Sequence, residues 1–170
     1  YTAAAASSNG RVFGLAALLL NELAVSGRQT AEIIACQPGM LSALARLLAC
    51  SSTAAADAAF SAVHAAYVFR HLCKWESAAG HVAAEPAAVS RLTAALTLTG
   101  VVIHEDGVQV SAASQATAVL LQLAASGAGG SAQLVLQQPG IVAALAGLLQ
   151  PQHSPHVQST GLTVLSATVE

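Results

Sequence analysis

The sequence has few charged side chains. Asp, Glu, Lys and Arg make up 8% of its 170 residues, against about 25% in ordinary soluble domains. Only six residues are Lys or Arg, and the formal net charge is -2. Nucleic-acid affinity depends on many basic contacts to phosphate, and peripheral membrane docking depends on basic clusters. The composition therefore argues against nucleic acid and membrane surfaces as partners.

Cysteine is also scarce. Cys36, Cys50 and Cys73 are an odd number of residues, and no CxxC pair occurs. A disulfide framework or a thiolate zinc site needs paired, closely spaced cysteines. We therefore expect a reducing compartment, and we interpret the three cysteines as small buried apolar side chains and not as nucleophiles.

Long hydrophobic runs are missing, although 55% of the residues are hydrophobic and the mean hydropathy is +0.63. The longest run, Val12 to Leu20, has nine residues and ends at Asn21 and Glu22. A membrane-spanning helix needs about 20 apolar residues. The sequence predicts a folded chain without a membrane span, because so apolar a composition is the opposite of the one typical of disorder.

Motifs for catalysis and metal binding are missing as well. No nucleophile elbow, phosphate-binding loop or dinucleotide fingerprint occurs. His64 and His71 lie two helical turns, about 10 Å, apart and cannot share an ion. The acidic and imidazole groups of His104, Glu105 and Asp106 fall in Thr97–Gly107, which we interpret as a solvated loop. We therefore expect no enzyme activity, metal, cofactor or small-molecule substrate.

The clearest positive feature is an internal repeat. Residues 37–48 (QPGMLSALARLL) match residues 138–149 (QPGIVAALAGLL), and residues 85–96 form a weaker middle copy. A second element repeats in step with the first, since LNELAVSG at 20–27 matches LLQLAASG at 120–127. Repeats of this kind indicate that similar structural units are stacked along the chain.

Apolar residues within each unit have helical spacing, and Ala and Leu are strong helix formers. One stripe contains Leu41, Leu44, Leu47 and Leu48, and another contains Ala116, Leu120, Leu123 and Ala124. Pro-Gly pairs at 38–39 and 139–140 separate helices, while Gly127–Ser131 is a predicted loop. The pattern predicts that every regular element is an α-helix and that Leu44, Leu120 and Leu145 lie in the core.

A short helix ending at glycine, a second helix of the pattern IxxLxxLL and a longer third helix together resemble the armadillo repeat. HEAT repeats share much of this pattern and are the near alternative. The resemblance implies an all-α fold, a right-handed α-solenoid of armadillo-like three-helix repeats over residues 1–170. It comprises a partial repeat at 10–27, repeats at about 28–75 and 76–127, and a partial repeat at 128–170. We expect this segment to be part of a longer solenoid.

In armadillo families the third helices line a concave groove that holds a partner peptide. The Trp and Asn of the nuclear-import branch would align with Leu18 and Glu22, Tyr67 and His71, and Ala118 and Gln122, so that ladder is absent. The resemblance leaves five candidate partner-binding residues on the groove face, with solvated or loop-packed surface as the alternative: Glu22, Tyr67, Arg70, His71 and Gln122.

By resemblance, we expect a non-catalytic scaffold for protein–protein contacts, a structural subunit of a larger cytoplasmic assembly such as the ciliary axoneme. The alternative is a regulatory or substrate-recognition arm of a larger enzyme such as a ubiquitin ligase. In both cases the partners are other proteins, bound in the groove or against the flanking repeats.

Overall fold

The computed structural model describes residues 2–49, 56–98, 101–105, 108–126 and 131–150, and a few isolated positions beyond 150. The chain is mostly helical, as predicted. In chain order its elements are α1 (Thr2–Val25), α2 (Arg28–Cys36), α3 (Met40–Ala49), α4 (Ala56–Leu72), α5 (Glu76–Ala84), α6 (Pro86–Ala95), β1 (Val102–Glu105), β2 (Val108–Ser111), α7 (Ala112–Ser126), α8 (Ser131–Leu136) and α9 (Ile141–Leu148).

The predicted helix boundaries at the Pro-Gly pairs are confirmed. Gly39, between α2 and α3, has φ of 77°, and Gly140, between α8 and α9, has φ of 79°. Glycine adopts this left-handed conformation without the steric cost that a Cβ atom adds. Pro86 begins α6, where its missing N–H costs no helical hydrogen bond. The sequence also predicts helix starts at Ser52–Thr53 and at Ser154–Pro155, and both lie outside the described residues.

The prediction that every regular element is helical is wrong between α6 and α7. There β1 and β2 form an antiparallel hairpin in which Ile103 pairs with Val110 and His104 with Gln109. The segment predicted as a solvated loop thus contains a strand. The β-branched residues around position 103 favour extended backbone, and Val110 is buried against α4 residues in a small cluster of its own.

Helices three places apart in the chain contact one another. The long helices α1, α4 and α7 pack side by side, α2 contacts α5, α5 contacts α8, and α3 contacts α6, which in turn contacts α9. The long helices α4 and α7 also contact the helices that precede them, α3 and α6. Equivalent helices of successive sequence repeats therefore pack against each other.

A continuous apolar core runs between these rows of helices. The predicted core residues Leu44, Leu120 and Leu145 are all buried there, which confirms that prediction. The two predicted stripes also face the core, except that Leu47 is only partly buried. Trp75 packs against the edge of the same core. Within the described ranges, no helix combines the length and the hydrophobicity that a membrane crossing requires.

The helices α1 and α4 approach closely at Gly14. A Cβ atom at this position would lie 2.6 Å from Cδ1 of Phe60 and 3.1 Å from the hydroxyl oxygen of Ser61. The Phe60 ring is held edge-on against His64, with ring centroids 4.2 Å apart. The absence of a side chain at Gly14 therefore sets how closely these two helices pack.

Candidate interaction surfaces

One face of α1 carries large apolar side chains exposed to solvent. We call these residues the α1 stripe. They are between 49% and 65% exposed, and they recur at the spacing of a helix face: Val12, Phe13, Leu15, Leu19 and Leu23. Scattered apolar residues are normal on protein surfaces, but a contiguous row marks an interaction site.

The repeat shows what normally happens at the positions of the α1 stripe. Residues 49 and 100 places further along occupy the same positions in α4 and α7. All ten of those counterparts are buried: Ser61, Ala62, His64, Val68 and Leu72 in α4, and Ala112, Ala113, Gln115, Val119 and Leu123 in α7. The stripe thus matches a face that neighbouring elements cover in both later copies.

Neighbouring elements explain this difference in burial. The helices α1 and α3 pack on α4, α4 and α6 pack on α7, and the hairpin adds further cover to both long helices, whereas no described helix precedes α1. Val25 is exposed, and its counterparts Lys74 and Ala125 are exposed as well. It therefore differs from the residues of the α1 stripe, whose counterparts are buried. Val25 is therefore an exposed apolar residue of α1 that lies off the stripe.

The predicted groove residues lie on the three long helices. Glu22, His71 and Gln122 occupy equivalent positions in α1, α4 and α7. Glu22 is exposed, while His71 and Gln122 are half-buried. Because the three helices pack side by side, these residues form a row across them.

Burial and two neighbouring positive charges oppose the protonation of His71. Its pKa is lowered from 6.5 mainly by burial and also by the positive charges of Lys74 and Arg70, while Glu22 acts in the opposite direction. Nζ of Lys74 lies 3.0 Å from Nδ1 of His71 and donates a hydrogen bond to the neutral ring. The structure thus brings Glu22, Arg70 and His71 within electrostatic reach of one another.

Arg70 and Tyr67 make contacts away from this row. Nη1 of Arg70 donates a hydrogen bond of 2.9 Å to Oε1 of Gln115, which links α4 to α7. Tyr67 lies with its ring centroid 6.1 Å from that of His64 and packs against the cluster beneath the hairpin. Both side chains therefore have structural contacts in addition to their predicted role.

Gln122 lines a surface depression of about 470 Å³ together with Cys73, Lys74, Glu76, Ala125 and Ser126. Its Oε1 atom is buried and has no hydrogen-bond partner among the described residues. A buried acceptor without a donor is rare in folded proteins. Since this oxygen is buried, it can accept a hydrogen bond from a bound chain only after the Gln122 side chain turns toward the depression.

The prediction that the cysteines are buried is correct for one described residue and wrong for another. Cys73 is buried, and burial raises the pKa of its thiol. Cys36, the last residue of α2, is exposed, and its Sγ lies 3.2 Å from Nε2 of His81 in α5. Sequence reasoning missed this pair because the residues are 45 positions apart. Cys50 lies outside the described residues.

Among the described residues, no group of three or more His, Cys, Asp or Glu side chains is placed to hold a metal ion. No protein-family model, curated protein or solved structure matches this chain. The repeat pattern and these surfaces are therefore the features of the chain that bear on its function.

Proposed function

We propose that the chain is an armadillo-like α-solenoid that acts as a non-catalytic scaffold for protein–protein contacts. Two observations support the solenoid. The sequence repeats at intervals of about 50 residues, and helices three places apart contact one another. In a solenoid each repeat buries its apolar faces on its neighbours, so such a segment has little surface that must be charged. The 8% charge fits this arrangement.

The α1 stripe carries the proposal of a scaffold. The equivalent positions are buried in α4 and α7, whereas the α1 stripe itself is exposed. The stripe is therefore a surface that a further helical unit or a partner protein can bury. Full burial of a Leu, Val or Phe side chain stabilises by about 1.5–3 kcal/mol. The fitting partner is an amphipathic helix pair with an apolar face like that of α2 and α3, from a further repeat or from another protein.

The row formed by Glu22, His71 and Gln122 is the second proposed contact surface. Together with Tyr67 and Arg70 it offers hydrogen-bonding groups, and Oε1 of Gln122, which is buried and lacks a donor among the described residues, becomes a further acceptor if its side chain turns outward. An extended segment of a partner protein has backbone N–H groups that match such an acceptor. The proposed partner of this row is therefore an extended peptide segment.

The association state of the purified chain tests the scaffold proposal. With no partner present, we expect the exposed α1 stripe to drive self-association, measured by size-exclusion chromatography with light scattering. Leu19→Glu combined with Leu23→Glu should give a monomer. The matched control is Val25→Glu, compared with Leu19→Glu alone, since each adds one negative charge to an exposed residue of α1; Val25→Glu lies off the stripe and should leave the association unchanged.

Two results would count against the proposal. One is a wild-type chain that stays monomeric at high concentration and in which the stripe variants change nothing. The other is a Val25→Glu variant that dissociates as fully as the stripe variant, because charge anywhere on α1 would then be sufficient. Circular dichroism of each variant shows whether the helices remain intact.

A further inference from the structure

Cys36 and His81 form an exposed pair where the first helices of two successive repeats pack together. Sγ of Cys36, at the end of α2, lies 3.2 Å from Nε2 of His81 in α5. Both residues are exposed. They line a pocket of about 260 Å³ that also contains Glu85, Gln37 and Gly39.

Glu85 gives this pocket a third polar group. Its Oε1 accepts a hydrogen bond of 3.1 Å from the hydroxyl group of Ser42 in α3. The carboxylate is therefore held between α5 and α6 and lines the same pocket as the imidazole.

We propose that Cys36 is a redox modification site, at which its thiol exchanges with low-molecular-weight disulfides of the glutathione class. The thiolate is the reacting form of cysteine, and a neighbouring imidazole is a common base for producing it. The separation of 3.2 Å allows direct proton transfer from the thiol to Nε2. Exposure of Sγ on the pocket wall gives an incoming disulfide access to it.

The exchange balances without another reactant. His81 takes the thiol proton, and the Cys36 sulfur attacks one sulfur of the disulfide. A new S–S bond joins Cys36 to one half of the reagent, while the old S–S bond breaks and its electron pair leaves with the other half as a thiolate. That thiolate takes up a proton from His81 or water. Cys36 is oxidised, and the disulfide is reduced.

Cys73 provides a contrast within the same molecule. It is buried in the core, and burial raises the pKa of its thiol, so an incoming disulfide has less access to its sulfur than to that of Cys36 and finds less of the reactive thiolate. Modification should therefore be selective for Cys36 over Cys73. This selectivity does not depend on the scaffold function, because it follows from local geometry alone.

The kinetic test uses the neutral disulfide 4,4′-dithiodipyridine, whose reaction is followed by the absorbance of the released thiopyridone. All chains carry Cys50→Ser. At about pH 6.5, His81→Gln should slow the fast phase by at least about tenfold. Above about pH 9.5 the rates should converge, because a thiol then ionises without help. His104→Gln, an exposed histidine in the hairpin, is the matched control and should react like the parent chain.

Peptide mapping after treatment with oxidised glutathione identifies the modified residue. The proposal requires the mixed disulfide on Cys36 before any on Cys73, and loss of the fast phase in Cys36→Ser. It is overturned if Cys73 reacts first, or if His81→Gln leaves the rate at about pH 6.5 unchanged. A variant that is slower by the same factor at every pH would also overturn it, because that pattern indicates a steric role for His81.

Discussion

Leu23 and Leu72 occupy the same position in two successive long helices, yet Leu23 is 50% exposed and Leu72 is fully buried. The two residues have the same side chain and similar helical surroundings. They differ in their neighbours, because α3 packs on α4 while no described helix precedes α1. This pair summarises the repeat architecture that we propose, in which burial comes from adjacent units.

Truncation of the core leucines should strongly destabilise the chain. Leu44, Leu120 and Leu145 are each at most 1% exposed and come from three different helices. Replacement of any one by Ala should lower the free energy of unfolding by about 2–5 kcal/mol, because apolar contacts are lost and a cavity remains. Urea denaturation measures the change. A loss below about 0.5 kcal/mol at all three positions would contradict the core assignment.

Substitution of two helical glycines should have opposite effects. Gly14→Ala places a methyl group 2.6 Å from Phe60, whereas a Cβ atom at Gly80 in α5 meets no atom within 4 Å. Overpacking costs about 1–3 kcal/mol, and the gain in helix propensity is about 1 kcal/mol. We therefore expect Gly14→Ala to lower the melting temperature and Gly80→Ala to raise it. A melting temperature of the Gly14→Ala variant equal to or above that of the wild-type chain would contradict the close approach of α1 and α4 at Gly14.

The pKa of His71 should respond to its charged neighbours in opposite directions. Glu22→Gln should lower it further, because the carboxylate favours the charged ring, and Lys74→Gln should raise it. NMR titration of the His71 ring protons measures both changes. Identical titration curves in the two variants would show that Glu22 and Lys74 do not influence the pKa of His71. That result would contradict the placement of Glu22 beside His71 in the row.

The same lowered pKa makes stability depend on pH. Below the ordinary value of 6.5, the unfolded chain binds a proton that folded His71 resists. The contribution of neutral His71 to the free energy of unfolding is therefore complete above about pH 6.5 and decreases as the pH falls toward the folded-state pKa of this residue. His71→Gln should remove this part of the pH dependence of the melting temperature. His104→Gln, on the exposed hairpin, is the matched control.

Much of the fold could be predicted from the sequence because helical periodicity and the repeat are strong local signals. The Pro-Gly boundaries and the buried leucines follow from them directly. The hairpin was missed because the segment was interpreted by its polar residues. The dipeptide Asp106-Gly107 between two β-branched runs is itself a hairpin signal, so the sequence does contain the information.

The contacts between repeats were harder to predict. Arg70 reaches Gln115 and Cys36 reaches His81 across 45 residues in each case, and Ser42 reaches Glu85 across 43. These separations are about one to two helical turns shorter than the repeat interval. Sequence identity at the repeat interval identifies equivalent positions, but it does not identify the residues that face each other when helices pack side by side.

We propose that the α1 stripe is the face of a repeat that an adjacent repeat unit buries. The most direct test replaces residues 1–6 with a second copy of residues 7–55, which supplies α1 with equivalents of the three helices that precede α4, and Leu19→Ala is made in the original α1 only. The junction follows from the repeat, since Ser7 lies 49 residues before Ala56, the first residue of α4. Low protein concentration keeps self-association from covering the stripe.

The measurement is the effect of Leu19→Ala on the free energy of unfolding in both chains. In the original chain we expect a change within about 0.5 kcal/mol, because Leu19 is exposed. In the extended chain we expect a loss of about 2–5 kcal/mol, because the side chain becomes buried. Val25→Ala should have a small effect in both. An equal effect of Leu19→Ala in the two chains would contradict the repeat architecture.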